Sequence, residues 1–296
     1  MSRIYFHPTP EFSDNLSDNI IEALKTDSIA EVISFFKTTK DSFLPWNYGH
    51  EQPVVLLIPA ILDASNSVNY DGVEFALQWY FYKIQNNKEF AIILLGIESK
   101  AAFFEHCDYS FFIKCPNVHY VDFSMDEIKQ SVAKRQPKSF EKEQYIYSLK
   151  NIGIKPPTSY KSHHSISNEW CIYRWSKYLG IESPLQKNLI EEIKASLYYN
   201  YLQTIYPIND FDCQKYEILE KGNILLVDDE VGKGWSDFFK ELVTPNQKFR
   251  TIGENYKKLT VEEIIETSIN EVKTFYPDAV ILDLRLHDDD FDKKPP

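Results

Sequence analysis

Acidic residues at the ends of apolar runs are the side chains whose type and spacing suit them for chemistry. Asp228, Asp229 and Glu230 follow Asn223-Ile224-Leu225-Leu226-Val227, and Asp283 follows Ala279-Val280-Ile281-Leu282. Short continuous apolar runs suit strands of a parallel sheet, and in open parallel α/β sheets sites form at the carboxyl ends of strands. With right-handed crossovers the two strands lie side by side, so carboxylates about 55 positions apart in sequence converge. Converging carboxylates repel one another unless a cation joins them, and hard oxygen donors with room for water favour Mg2+. A carboxylate beside Mg2+ can also accept a phosphoryl group, because the metal neutralises charge on the transferring oxygens. The run Asp288-Asp289-Asp290 reads instead as a solvated acidic turn.

The elements that must position these acids read as β-α-β-α-β. A strand over 223–227 is followed by a helix over Gly234–Leu242, a second strand over Phe249–Ile252, a helix over Val261–Phe275 and a third strand over Ala279–Leu282. Gly232-Lys233-Gly234 is too short to cradle phosphates and reads as the loop entering a helix. The chain carries no GxxxxGKS/T motif, so the apolar-then-acidic run does not belong to a nucleotide-hydrolase P-loop pair.

These residues resemble the receiver domain of response regulators in two-component signalling. The resemblance rests on Ile224-Leu225-Leu226-Val227-Asp228-Asp229-Glu230 and on Asp278-Ala279-Val280-Ile281-Leu282-Asp283-Leu284-Arg285-Leu286. It implies that Asp228 and Asp229 are metal-site acids and that Asp283 is the phosphoacceptor. It also implies that the backbone carbonyl of Arg285 is a metal ligand. The family's switch residues, a hydroxyl residue after a fourth strand and a lysine after a fifth, would fall downstream of Asp283. The block 216–296 is therefore expected to hold only the N-terminal part of such a domain.

The first block, residues 1–135, also alternates strands and helices. Arg3–Phe6, Val54–Ile58 and Ala91–Gly96 read as strands, with either Phe111–Lys114 or Val118–Phe123 as another. Gly72–Ile84, Ala101–His106 and Asp126–Val132 read as helices, the last with Ser124 as N-cap. Asn19–Leu24 and Ile29–Phe36 carry apolar residues at helical spacing. This block resembles an altered receiver: Ile58 stands where the phosphoacceptor would be, Gly96 lies near the expected hydroxyl, and His7-Pro8 replaces the acidic pair. Lys114-Cys115-Pro116 is similar to the lysine-proline that follows the family's fifth strand. The resemblance implies a pseudo-receiver used for contact. The fold class expected is thus α/β: a flavodoxin-like (receiver-like) parallel-sheet domain, a helical middle segment, and a partial second receiver-like domain.

The middle, residues 136–215, shows no buried strand. Glu141–Lys150, Glu169–Tyr178 and Leu185–Tyr201 read as helices, the last opened by Ser183-Pro184. His163-His164 with Asn168 is similar to the phospho-accepting helix of histidine kinases, but no ATP-binding motif follows, and surface or packed histidines are the expectation. Trp79-Tyr80-Phe81-Tyr82 and Tyr198-Tyr199-Asn200-Tyr201 read as half core and half surface, with a partner-binding face as the alternative.

Composition bounds the function. The chain has 44 Asp+Glu against 32 Lys+Arg, a net charge of −12, which disfavours a nucleic-acid partner. Its 43% apolar residues support a packed core. Cys107, Cys115, Cys171 and Cys213 form no CxxC and have no histidine at zinc-ligand spacing, which fits reduced thiols. With no signal-peptide core and no run near the ~20 residues that span a bilayer, a cytoplasmic protein with no membrane association is expected. Three functions compete. The first is phosphoryl acceptance on Asp283 with Mg2+, from a histidine kinase or phosphotransfer protein, modulating protein contacts. The second is a non-catalytic scaffold of pseudo-receivers, with homodimerisation through the helical middle. The third, a Mg2+-dependent phosphohydrolase, ranks last because Arg285 stands where the haloacid-dehalogenase-like pattern wants an aspartate.

Overall fold

The computed structural model describes residues 3–6, 20, 22, 24, 31–34, 54–62, 70–135, 137–156, 163–181, 196–207, 221–283 and 286. The chain divides into two compact units, Met1–Pro157 with Ser196–Pro207 and Thr158–Ala195 with Ile208–Pro296.

The first unit is a five-stranded, all-parallel sheet. Its strands are β1 (Arg3–Phe6), β2 (Glu31–Ser34), β3 (Val54–Pro59), β4 (Phe90–Gly96) and β5 (Val118–Asp122). Their order, β2-β1-β3-β4-β5, is the flavodoxin-like doubly wound order. Helices α1 (Asp71–Gln85), α2 (Lys100–His106) and α3 (Met125–Lys134) connect and cover it. The apolar runs explain the layering. Leu56, Ile58, Phe90, Ile92 and Leu94 enter one core with Val73, Leu77 and Ile84 of α1. The alternate residues Val55, Leu57, Ala91, Ile93 and Leu95 enter another, with Ile128 and Val132 of α3 and with Ile20 and Leu24. A strand covered on both faces cannot alternate with polar residues, so β4 is buried from end to end. The Ser124 side chain accepts from the Glu127 N–H and starts α3, as its position predicts.

Two expectations are corrected and one open choice is settled. Ile29–Phe36 has helical spacing, yet Glu31–Ser34 is a strand, paired with β1 in the register Arg3↔Glu31 to Phe6↔Ser34. Periodicity over so short a segment does not separate helix from strand, and the open edge of β1 decides the matter. Of the two candidates for the last strand, Val118–Asp122 is β5, whereas Ser110–Lys114 is a 3-10 turn. Lys114-Cys115-Pro116 therefore precedes β5 and does not occupy the place of a lysine-proline after a fifth strand.

The helices of 136–215 divide between the units. Helix α4 (Lys142–Lys150) and helix α6 (Leu197–Ile205) pack within the first, and α5 (His163–Leu179) belongs to the second. Of the helix expected over 185–201, residues 185–195 lie outside the described residues, Ser196 is extended, and its hydroxyl accepts from the Tyr199 N–H to start α6. Ser183-Pro184 lies outside the described residues. The two aromatic stretches face one another: Phe81 meets Tyr201 at 6.2 Å, Asn200 Nδ2 donates to Gln78 Oε1 at 2.9 Å, and Gln85 Nε2 donates to Thr204 Oγ1 at 2.8 Å. Trp79, Tyr80 and Phe81 are all buried, so the α1 stretch is core. Cys107 and Cys115 are buried as free thiols pushed up by burial to about 11 and about 12, while Cys213 lies outside the described residues.

The second unit carries β6 (Gly222–Val227), α7 (Trp235–Leu242), β7 (Gln247–Ile252), α8 (Val261–Phe275) and β8 (Ala279–Leu282). Its sheet order is β7-β6-β8, all parallel, the same arrangement as the first three strands of the other unit. Helix α8 begins at a capping box between Thr260 and Glu263 and ends at Tyr276, whose φ is 48°. Asn223 Nδ2 donates to the carbonyls of Phe275 and Tyr276, both at 3.1 Å, which fixes the turn into β8. Leu225, Val227, Tyr256 and Ile264 form the core between sheet and helix. Burial is less complete than in the first unit: Val280 and Leu282 of β8 are exposed, and only the C-terminal half of β6 is buried. Among the described residues, no helix is long and apolar enough to cross a membrane.

Candidate functional site

Parallel pairing on both sides of β6 builds the site. Val227 pairs with Ile252 and with Leu282, so the residues just past all three strands share one edge. The Asp228 N–H donates to the Ile252 carbonyl at 3.1 Å, and the Asp283 N–H donates to the Val227 carbonyl at 2.9 Å. These two bonds hold the acidic loop and the end of β8 against each other. Gly253, at φ 127°, lets the chain leave β7 close to this loop, for a Cβ there would lie 2.0 Å from the Asp228 carbonyl oxygen.

The result is a cluster of Asp228, Asp229 and Asp283, each offering a carboxylate oxygen, all within 4.8 Å of one another. Asp228 is buried, and the other two are half-buried. In an octahedral Mg2+ shell with bonds of ~2.1 Å, ligand oxygens stand ~3–4 Å apart, so a small contraction of the cluster fits the ion. One observation favours a cation directly: Asp229 Oδ1 is buried without a hydrogen-bond partner. The residues fit a hard divalent ion. Arg285, expected to offer its carbonyl, and Asp288–Asp290 lie outside the described residues.

The electrostatics agree with crowding of like charge. Burial pushes the Asp228 carboxyl up to about 6, and the charges of Asp283, Asp229 and Glu230 add to this against the opposing hydrogen bond from the Glu230 N–H at 2.6 Å. Asp229 is raised by burial and by Glu230, with Lys257 acting in the opposite direction.

Glu230 is almost wholly buried and has no place in the carboxylate trio. Lys233 Nζ and Asn168 Nδ2 both donate to it, and Lys257 Nζ stands 3.5 Å from its Oε1 and 3.8 Å from Asp229 Oδ2. Lys257, Asn168 and Gly253 are site residues that sequence patterning missed. Asn168 stands out in the sequence only beside His163-His164, whose side chains are outside those described. Lys257 lies in a loop with no motif, and its link to the acids exists only once β7 lies beside β6.

The matching register position of the first unit carries an apolar side chain. Ile58, following the β1–β3 pair Phe6↔Leu57 as Asp283 follows Val227↔Leu282, is fully buried. Tyr70 donates to Glu98 Oε1, and the Tyr120 hydroxyl donates to the Glu98 carbonyl at 3.0 Å. The Tyr120 ring lies against Gly96, where a Cβ would meet its hydroxyl at 1.9 Å. Phe103 meets Tyr70 edge-on at 5.4 Å and Tyr120 at a tilt at 4.7 Å. Among the described residues, this unit gathers no group of three acids, histidines or cysteines able to hold a metal.

No protein-family model matches the chain, and no curated protein matches it. Among solved structures the chain is similar to the RcsB response regulator of Salmonella typhimurium, reported in connection with DNA interaction. The identity is 8% and the TM-score 0.27, over 69% of this chain and 91% of that one, a likeness too slight to establish a function.

Proposed function

We propose that the second unit is a receiver-like phosphoryl acceptor, with Asp283 as acceptor and Asp228, Asp229 and Asp283 as the holders of Mg2+. The observation that carries this is the meeting of three carboxylates from two separate strand ends, one of which leaves a buried oxygen without a partner. A bound Mg2+ supplies positive charge to the transferring oxygens and allows the carboxylates to stay ionised together. A carboxylate oxygen of Asp283 attacks the phosphorus of a phosphohistidine donor. The O–P bond forms, the N–P bond breaks, and the imidazole leaves with the bonding electron pair and takes up a proton. The donor is a histidine kinase or a phosphotransfer protein. The new phosphate adds charge beside the β6–β7 loops and alters contacts made there.

The same reading makes the first unit a contact module. Ile58 offers no carboxylate and is fully buried in the core that also takes in Tyr70, Phe103 and Tyr120.

The test is incubation of the chain with acetyl phosphate and Mg2+, followed by intact-mass spectrometry. A single phosphoryl increment is expected, abolished by EDTA and by Asp283→Asn. No increment, or one that survives Asp283→Asn, overturns the assignment.

A further inference from the structure

Lys257 is placed by a built turn. It occupies the 3-10 turn Tyr256–Lys258 just past β7. Tyr256 anchors that turn: its ring is buried in the core, its N–H donates to the Gly253 carbonyl at 2.8 Å, and its hydroxyl meets Ser268 Oγ on α8 at 2.8 Å. The turn delivers the ammonium to the acids, 3.8 Å from Asp229 Oδ2 and 3.5 Å from Glu230 Oε1. Asp229 is thereby divided, with one oxygen facing Lys257 and the other, Oδ1, buried and unpartnered. Lys233 also binds Glu230.

We infer that Lys257 is a resident counter-cation of the carboxylate site, competing with the divalent metal for Asp229 and so lowering the site's metal affinity. This rests on the metal reading above. The physical reason is that an ammonium and a divalent ion sharing one carboxylate repel each other at short range, in a half-exposed setting where screening leaves a moderate effect. When the metal is absent, the ammonium offsets part of the repulsion among Asp228, Asp229 and Glu230. When the metal enters, Lys257 must swing outward, and its 48% exposure gives it room to do so.

The test is calorimetric titration of the full chain with MgCl2 alone, at fixed pH and low ionic strength. Lys257→Met is expected to bind Mg2+ roughly tenfold more tightly than the natural chain, the order set by removing one nearby positive charge. Lys257→Arg, which keeps the charge, is expected to bind as the natural chain does. Lys233→Met, which removes a cation from Glu230, is expected to change affinity by less than Lys257→Met, because Lys257 is the cation that acts on Asp229. The advantage of Lys257→Met is expected to shrink in concentrated salt. Should Lys257→Met not fold, Lys257→Gln carries the same expectation. Binding in both chains with equal or weaker affinity in Lys257→Met overturns the inference and leaves the metal site standing. Absence of Mg2+ binding in both folded chains overturns the metal site and this inference with it.

Discussion

The carboxyl edges of the two sheets start from the same topology and end in opposite chemistry. In each unit the first strand lies between the second and third, in parallel, so the residues that follow strands one and three are neighbours. In the second unit those residues are Asp228 and Asp283, in a half-open cluster with an unpartnered buried oxygen. In the first, the position that matches Asp283 by register is Ile58, fully buried in one core with Tyr70, Phe103 and Tyr120. The fold supplies the location, and a handful of side chains decides whether it holds charge or excludes it.

Three experiments break or sharpen this contrast. The largest effect is expected from Ile58→Asp, which puts into the first unit the residue type that ends β8. With no cation or donor prepared there, a buried carboxylate is expected to cost about 4 kcal/mol or more in urea denaturation, without creating a metal site. A mild cost accompanied by Mg2+ binding would show that the first edge accepts a metal after all.

Next comes pH, where Asp228 of the second unit and His119 of the first are expected to respond with opposite sign. The Asp228 carboxyl is raised to about 6, so the metal-free folded state binds more protons than the unfolded one above pH 3.8. Its contribution is full below that value and is lost as pH rises through about 6, roughly 2–3 kcal/mol in all. Burial, with Arg135 adding to it, lowers His119 on β5 to about 4. Its unfolded state then binds more protons between about 4 and 6.5, so stability contributed there is full above 6.5 and is lost as pH falls. In EDTA, urea midpoints followed across pH 4–7 are expected to lose the first slope in Asp228→Asn and the second in His119→Gln. Slopes of the same sign for both residues would contradict the contrast.

The smallest effect concerns the helices and should not distinguish the units. Ser124→Ala and Thr260→Ala each remove an N-cap, and each is expected to cost about 1 kcal/mol. Comparable losses place the difference between the units at their strand ends, whereas a large disparity would locate part of it in the helices.

Much of this architecture was legible in the residues. Val261–Phe275 and Ala279–Leu282 match the expected helix and strand, because a long helical pattern and a four-residue apolar run bounded by Pro277-Asp278 and Asp283 leave few alternatives. The short elements were harder. Glu31–Ser34 carries both helical and strand spacing, and only pairing with β1 settles it. Lys114-Cys115-Pro116 looked like a strand-end motif and proved to lie before β5. The acids Asp228, Asp229 and Asp283 stood out because each follows an apolar run, whereas Lys257 follows nothing that marks it and Asn168 is marked only by His163-His164, not by any link to the acids.

The sequence by itself determined which segments are apolar enough to be buried strands, where the helices are capped, and which carboxylates sit at strand ends. These are local properties, set by hydrophobic runs and by capping side chains within a few residues of each other. Tertiary structure alone decided that β6 lies between β7 and β8, that Lys257 stands 3.8 Å from Asp229, and that Phe103 packs against Tyr120. Those outcomes depend on parallel pairing between segments far apart in the chain. Local propensity does not encode such pairing, and only the packing of the whole sheet selects it.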